Sequence, residues 1–520
     1  MAWDGFNTVV SGLFTSKRSL YVTGHNIANI NNKDFSRQVI TQSATQAQRV
    51  YGVGMLGTGT QITDVKRVRD DYINNKFWDE SGKHGDWEIR MNRLKDIENA
   101  FNEPTDSSMR KATDDLYKAI EQLNNNPSDY ASKSLVRESA KTFTGQLNEL
   151  AKKLYNLQSE ADFQVRTKVT QVNDYGSQIA EVNKQIELME LDGSYANDLR
   201  DKRDGLLDDL SKIVNIDVTE YEGKVNVSVG GMTLVDHENS NKLLVKEMDN
   251  AQNPEEKLSK IYWESSGLEL KLTDGEIKGL LDFRGDGSLD GEGSGENNEY
   301  RGIPYYVNRL NEFASTFAIQ MNKVHATGVG GDGESGKLFM TAFGENTDKI
   351  KINGKAIKDL DLTNEESADY KAFEKYMREN VRADNIDISG DLKNDLNTLA
   401  TATADDGPEN NKNLKNLLDL RNDKKFFDTP TAQGTPDEFL KSIVSTLAVD
   451  AQQAERMESN EGTIMKNVKE RRMSDSGVSK DEETANMVKF QHAYNANARM
   501  IRALDEVYNI VVNQLGTMGR

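Results

Sequence analysis

Apolar positions at the two ends of the chain recur by alternating steps of three and four. Near the start the series is Trp3, Phe6, Val10, Leu13, Leu20, Gly24 and Ile27, with Lys17 as the one charged intruder. Near the end it is Met487, Phe490, Tyr494, Asn497, Ile501, Leu504, Tyr508, Val511 and Leu515. This spacing is that of a coiled-coil seam. A seam at each terminus predicts a chain folded back on itself, with ends that meet each other and similar ends on neighbouring copies. Full burial of a seam side chain gains roughly 1.5–3 kcal/mol, whereas ordering each residue costs roughly 1–2 kcal/mol of backbone entropy. A lone terminal helix is therefore expected to be marginal in water. The same period also suits ordinary core helices of a bundle.

Further inward the pattern predicts nested elements. The first helix should end near Asn29, and 36–66 should be extended or irregular, punctuated by Gly52, Gly54, Gly57 and Gly59. Trp87, Met91, Leu94, Ile97 and Phe101 form a helical stripe closed by Pro104. A second stripe runs from Met109 to Leu123. From Phe143 to Met189 the three-four step holds almost without error, which predicts a long rod-like helix stopped by Asp192, Gly193 and Ser194. A shorter helix follows through Leu199, Leu206, Leu210 and Ile213.

At Ile216 the period changes to two, with Val218, Val225, Val227 and Val229 alternating with polar residues and Gly223 and Gly230-Gly231 placed for hairpin turns. Residues 216–284 read as a small antiparallel β domain between helices. The stretch GDGSLDGEGSGENNE at 285–299 reads as a solvated linker. As a calcium loop it fails, because Asn297 stands where the twelfth-place glutamate is needed. Pro304 opens another helix, ended near Gly328. Residues 330–430 carry mixed signals, with Ile350, Ile352, Ile386 and Ile388 in alternating contexts, and read as an outer region. Helical period returns at Phe439, breaks at 474–477, and resumes after a capping box made by Ser479 and Glu482.

The expected fold class is α+β multidomain: terminal coiled-coil helices, a long helical bundle and inserted β-rich outer domains. The expected division is an N-terminal axial segment 1–66, bundle helices 67–215, a β-rich domain 216–299, a bundle helix 300–329, an outer mixed or β-rich region 330–430, a bundle helix 431–475 and a C-terminal axial helix 476–520.

Composition narrows the function. A chain of 520 residues needs several cores. A net charge of −20 argues against nucleic acid or an anionic membrane as partner. No stretch is long enough to insert in a membrane. The chain has no cysteine, which excludes disulfides, thiolate metal sites and cysteine nucleophiles and suits passage from a reducing to an oxidising compartment. The first residues lack the features of a cleaved signal peptide. The five histidines, His25, His84, His237, His325 and His492, form no HExxH motif, and GxSxG, Walker A and GxGxxG are absent. No catalytic, cofactor or metal residues are expected, and the chain is not expected to be an enzyme. His25 and His492 are expected at polar surfaces or interfaces.

The residues SGLFTSKRSLYVTGHNIANINNKDFSRQ at 11–38 resemble the N-terminal signature of the bacterial flagellar rod, hook and hook-associated proteins. SGVSKDEETANMVKFQHAYNANARMIRALDEVYNIVVNQLG at 476–516 is similar to their C-terminal counterpart. Within that group, YANDLRDKRDGLLDDLSKIVNIDV at 195–218 and NIDISGDLKNDLNTLATA at 385–402 resemble the hook-associated protein 1 (FlgK) family. One departure is Asn32, Lys33, Asp34 and Phe35 where the family usually has Thr-Pro-Gly-Tyr; Asn and Asp tolerate left-handed backbone. The resemblance implies a structural junction between hook and filament, outside the cell, reached through flagellar type III export. It implies tails disordered in the monomer and coiled-coil after assembly. The implied partners are copies of the chain in a ring, the hook protein, the next hook-associated protein, and the export chaperone FlgN on the C-terminal helix. Another hook or rod protein, or a non-flagellar helical adhesin, are the alternative readings.

Overall fold

The structure is a computed structural model that describes residues 2–101, 109–221, 223–287, 300–403, 410–429 and 432–514. Helix α1 (Ala2–Ala28) leads into strands β1 (Gln38–Ala44), β2 (Gln48–Val50), β3 (Gly54–Leu56) and β4 (Thr60–Arg67), with β1 paired antiparallel to β4 and β2 to β3. Helices α2 (Asp71–Phe101), α3 (Met109–Asn125), α4 (Tyr130–Met189) and α5 (Asn197–Ile213) follow. Strands β5 (Ile216–Tyr221), β6 (Lys224–Val229), β7 (Met232–Asp236) and β8 (Asn239–Ser240) make a four-stranded meander, and β9 (Leu243–Met248) and β10 (Leu258–Trp263) a hairpin. Then come α6 (Glu276–Arg284), α7 (Ile303–Thr327), α8 (Ala368–Asn380), α9 (Gly390–Asn394), α10 (Lys412–Asp419), α11 (Pro436–Ser476) and α12 (Lys480–Asn509).

Helix α4 is the spine. Its 60 residues span about 90 Å. Asp129 caps its start by accepting from Ala131 N and Ser132 N, and these bonds, with that from the Ser132 hydroxyl, hold the carboxyl below its usual pKa. The expected stripe is the buried face: Phe143, Leu147, Leu154, Ala161, Val165, Val172, Ile179 and Ile186 are all covered. Met189, the last member, is exposed.

Amide side chains on the same face dock the inserted segments. Asn148 donates to the carbonyls of Ala383 and Ile386 (3.0 and 2.9 Å), and Gln158 to that of Arg284 (2.7 Å). Asn173 exchanges two bonds with the backbone of Leu243, at 2.9 and 2.8 Å. Asn183 donates to His237 O at 2.9 Å. Each is an amide meeting backbone groups that would otherwise be buried unpaired.

The aromatic centre of the core joins distant segments. Phe143 of α4 and Phe313 and Phe317 of α7 meet Phe426, Phe427 and Phe439, with ring centroids 4.2–6.3 Å apart. α11 lies antiparallel along α2, with Arg472 over the Phe77 ring (4.4 Å) at one end and His84 3.5 Å from Glu458 further along. Glycines let helices cross closely. A Cβ at Gly85 would fall 2.5 Å from Lys212 O on α5, and one at Gly279 would fall 2.9 Å from Asp86 O on α2.

Three expectations are corrected. The segment 276–284 is helix α6, not β: Ile277, Leu280 and Phe283 repeat by three and are all buried. The described part of 330–430 has little strand. Its short two-stranded pairs and helices α8–α10 fold onto α7, tied by Asn322, whose Oδ1 accepts from Phe339 N and Met340 N at 2.7 and 2.8 Å. The box at Ser479 is half made. Its hydroxyl accepts from Glu482 N (3.5 Å), but the Glu482 carboxylate turns to Arg37. The complete capping box is Thr435 with Glu438, at the start of α11. Of the calcium-loop reading, 288–299 lies outside the described residues, as does Pro104.

His325 gives the core a pH dependence. The ring is fully enclosed: Nδ1 donates to Lys337 O (2.8 Å) and Nε2 accepts from Ala400 N (3.0 Å). Burial pushes its pKa down to about 4, so the folded chain resists the proton that the unfolded chain takes up near 6.5. The stability it contributes is complete above pH 6.5 and is lost as pH falls towards 4, by about 3 kcal/mol. Asp86 runs the other way, since burial raises its carboxyl to about 6 and its contribution is lost as pH rises through that value. The informative comparison is therefore with His325→Gln, which keeps one donor and one acceptor. Urea unfolding at pH 7 and pH 4 should show the parent–variant stability gap shifting by about 3 kcal/mol against the parent at low pH. An unchanged gap would mean that the imidazole titrates freely.

Candidate assembly interface

The terminal helices α1 and α12 pack antiparallel on each other. Their register is fixed at two points. A Cβ at Gly12 would lie 3.0 Å from Asn497 Nδ2, and Asn26 Nδ2 donates to Glu483 at 3.2 Å. From 12 to 26 on one helix and from 497 to 483 on the other is fourteen residues each, so the pairing runs without slip.

Six of the nine α12 seam positions are turned towards α1. Phe490, Tyr494, Asn497, Ile501, Leu504 and Tyr508 are half-buried, while the residues between them are mostly exposed. Met487 and Val511 are exposed, and Leu515 lies outside the described residues. On α1, Phe6, Val10, Leu13, Leu20 and Ile27 are also only half-buried, and Trp3 lies on the first turn. The fully buried face of α1 is a different one: Thr15, Ser16, Ser19, Val22, Thr23 and Asn26.

The reason is a second neighbour, the β1–β4 ladder. Ser11 Oγ accepts from Thr60 N (3.1 Å), and Ser19 Oγ from Gln42 Nε2 (3.2 Å). The hydroxyls of Thr15, Ser16 and Ser19 donate to carbonyls one turn back, at 2.8–2.9 Å, so they are buried with their hydrogen bonds made. Small hydroxyl residues at three-four spacing were the signal for this face. A search for apolar residues alone passes over them.

At the base of the pair a polar joint holds the axial unit to the body. Asn26 is nearly fully buried; its Nδ2 donates to Gln38 O (2.9 Å) as well as to Glu483, and its Oδ1 accepts from Gln38 N (3.0 Å). Ser36 donates to Asp201 through both its amide (3.1 Å) and its hydroxyl (2.6 Å). Arg37 N donates to Ser476 O (2.8 Å), and its guanidinium reaches Glu482 (2.5 Å). Arg67 bridges Asp201 and Asp204, both at 2.8 Å, and Arg472 meets Asp208 at 2.7 Å, beside the indole N–H of Trp78. Burial works to raise the Asp204 carboxyl, but Arg67, Arg69 and Arg203 outweigh it and hold the group below its usual value.

His25 stacks edge-on against Phe35, with centroids 5.3 Å apart, and fixes the exit of α1. His492 is exposed. In the turn at Asn32–Phe35, Asp34 N donates to Asn32 Oδ1 (3.2 Å), and none of the four residues has a positive φ. The tight turn is thus an Asx turn that needs no left-handed residue. Where the resemblance implies disordered tails in the monomer, both are helical here and paired within one chain.

Among the described residues, no group of three or more His, Asp or Glu is arranged to hold a metal ion, and no helix is long and apolar enough to cross a membrane.

Comparison with known proteins places these features. The family model for the helical domain of the flagellar hook-associated protein FlgK matches residues 94–340. That for the C-terminal part of the flagellar basal body rod FlgEFG proteins matches 469–515, the end of α11 and the whole of α12. The chain is 28% identical to flagellar hook-associated protein 1 of Bacillus subtilis over 99% of both chains. It is 25% identical to the protein of the same name from Salmonella typhimurium, over 98% of this chain and 99% of that one. A solved structure, the flagellar hook junction protein FlgK from Burkholderia pseudomallei, aligns at 23% identity and TM-score 0.44, covering 52% of this chain and 46% of that one.

The joint makes a local prediction. Asn26→Ala removes three buried bonds, two from the backbone of Gln38 and one from the Glu483 carboxylate, at a cost of about 3 kcal/mol to the axial unit. Hydrogen exchange should quicken along α1 and α12 while protection in α4 stays as it was. Equal loss in α4 would show that the joint is not a separate unit.

Proposed function

We propose, for a chain that belongs to the flagellar hook-associated protein 1 (FlgK) family, that it is the structural piece joining hook to filament and that it assembles through its paired N- and C-terminal helices. The chain is a structural protein of the flagellum, not an enzyme. Copies of itself in a ring, the hook protein and the next hook-associated protein are its partners in the appendage. Before export by the flagellar type III route, without a cleaved signal peptide, the chaperone FlgN covers α12.

The observation that carries this reading is how much apolar surface the α1–α12 pair leaves open. The seam side chains are half-buried, and Phe14 and Tyr21 on α1 and Met500, Val507 and Ile510 on α12 are each about half exposed or more. Covering the rest of each is worth about 1 kcal/mol per residue, and neighbours supply that cover on every copy at once. Two paired helices with this little burial are marginal by themselves. They gain full order when the seam residues Phe6, Val10, Leu13, Leu20, Ile27, Phe490, Tyr494, Ile501, Leu504 and Tyr508, with Trp3, Met487, Val511 and Leu515 towards the ends, are enclosed by other copies. The long spine and the polar joint then connect a stiff outer body to a sheath of axial helices, as a junction between a flexible and a rigid tube requires.

Two outcomes are expected. A strain lacking the chain should make hooks without filaments and lose flagellin to the medium; normal filaments on electron micrographs would remove the assignment. Ile501→Asp combined with Leu504→Asp should leave the thermal melting of the body unchanged but abolish incorporation at the hook tip, because unpaired charge would be buried in the seam. Wild-type incorporation of the double variant would exclude the terminal-helix mechanism.

A further inference from the structure

Two helices of the chain begin on the same residue pattern and are capped differently. α11 starts at Thr435-Pro436-Asp437-Glu438 and α12 at Ser479-Lys480-Asp481-Glu482, each with a hydroxyl at the N-cap and a glutamate three residues on. At α11 the exchange is complete: Glu438 N donates to Thr435 Oγ1 (3.3 Å) and Thr435 N to Glu438 Oε2 (2.9 Å). At α12 only the first half is made, from Glu482 N to Ser479 Oγ at 3.5 Å. Ser479 is exposed, and its own N–H meets no acceptor among the described residues.

The missing half is accounted for by what Glu482 holds instead. Its carboxylate accepts from Arg37 Nη1 at 2.5 Å, between side chains that are 62% and 25% exposed. The contact runs through Nη1 alone, while Arg37 Nε is buried without a partner, so the two-nitrogen fork of a strong guanidinium–carboxylate pair is not formed. The next residue, Glu483, is buried and bonded to Asn26. Both glutamates at the end of the first turn of α12 are thus held from the α1 side of the joint. An exposed ion pair and a helix cap contribute stability of the same order. The carboxylate therefore has two resting places of similar worth, one on each side of the α1–α12 contact.

We infer that Glu482 is a two-position switch: while α1 and α12 are joined it lies on Arg37, and when they part it turns back to Ser479 N and closes the capping box. Parting the helices then costs the first turn of α12 one ion pair and returns it one capping bond. The start of α12 stays helical while α1 is away, whatever α12 meets in that state. α12 depends on such a device more than α11 does. α11 buries Phe439, Leu440 and Ile443 within its first two turns, whereas Glu483 is the one fully buried residue described in α12. With so little packing to hold it, the first turn of α12 relies on its cap.

The test is hydrogen–deuterium exchange of the full-length chain, read at single amides. Arg37→Met removes the guanidinium, keeps an apolar stem and leaves the backbone bond from residue 37 to Ser476 O in place. The Ser479 amide should then exchange about fivefold more slowly than in the parent, the protection of one capping bond. Adding Glu482→Ala should bring it back to the parent rate. An unchanged or faster Ser479 amide in Arg37→Met overturns the inference, and so does slowing that persists without Glu482. A second measurement uses the parent alone. Raising salt from a low level to about 1 M screens an exposed ion pair more than a short bond to a backbone N–H. The Ser479 amide should therefore slow relative to that of Thr435, whose box is already closed. Equal responses of the two amides to salt overturn the inference even if the variant chain does not fold.

Discussion

Everything outward of the axial helices depends on holding together two strands of chain that are more than four hundred and forty residues apart in sequence, where α1 ends and α12 begins. The constraint is met by buried polar contacts rather than by apolar ones. Asn26 bonds at once to both backbone groups of Gln38 and to Glu483, and so ties α1, β1 and α12 in one residue. The carboxylates of α5 do the same one layer inward, with Asp201 receiving Ser36 and Arg67 and Asp208 receiving Trp78 and Arg472. Apolar packing at this place would hold the segments but leave their angle open. Directional bonds set it, and a buried group left without its partner is costly enough to exclude the alternatives.

Stability is divided unequally along the molecule, and the division suits an assembling part. In the body, α4 buries an almost unbroken stripe and its amides saturate the backbones docked on it. In the axial unit nearly every apolar residue is left half covered or open. The first arrangement yields a unit stable by itself. The second leaves helices with far less of their apolar surface covered than those of the body, and so more open to stabilisation by anything that binds them. The net charge of −20 sets free copies to repel one another.

The long periods were legible in the chain itself. The rod through Phe143 and Ile186, the stripe of α2, the alternation from Ile216 to Val229 and the middle of the α12 seam, Phe490 to Tyr508, stand where spacing put them. Failures came where a short or polar signal competes. Helix α6 is nine residues long, too few for a helical period to stand out from a buried strand. The covered face of α1 is made of Ser, Thr and Asn around Val22, polar residues that a search for apolar periods passes over, packed under β1 and β4. The same holds for Asn148, Gln158, Asn173 and Asn183 on the spine. Each sits among apolar neighbours as a polar exception, and each exception marks the point where another segment is docked. Glu482 misled for the opposite reason. Its spacing from Ser479 is that of a capping box, but a guanidinium from a residue far away in sequence competes for the same carboxylate and wins.

A helix with one apolar seam makes one partner, and α12 has two. If the exposed series Ala496, Met500, Ala503, Val507 and Ile510 were merely tolerated surface, its positions would be free to carry charge. Charges do occupy the neighbouring positions Arg499, Arg502, Asp505 and Glu506, yet none falls on the series itself. Exposed apolar residues arranged at random do not keep a three-four step over five positions. The free chain bears the cost of showing Met500, Val507 and Ile510 to water, a cost that covering them would remove. The first seam is turned to α1 and the second is left open to solvent, so α12 presents two apolar faces of which its own chain covers one.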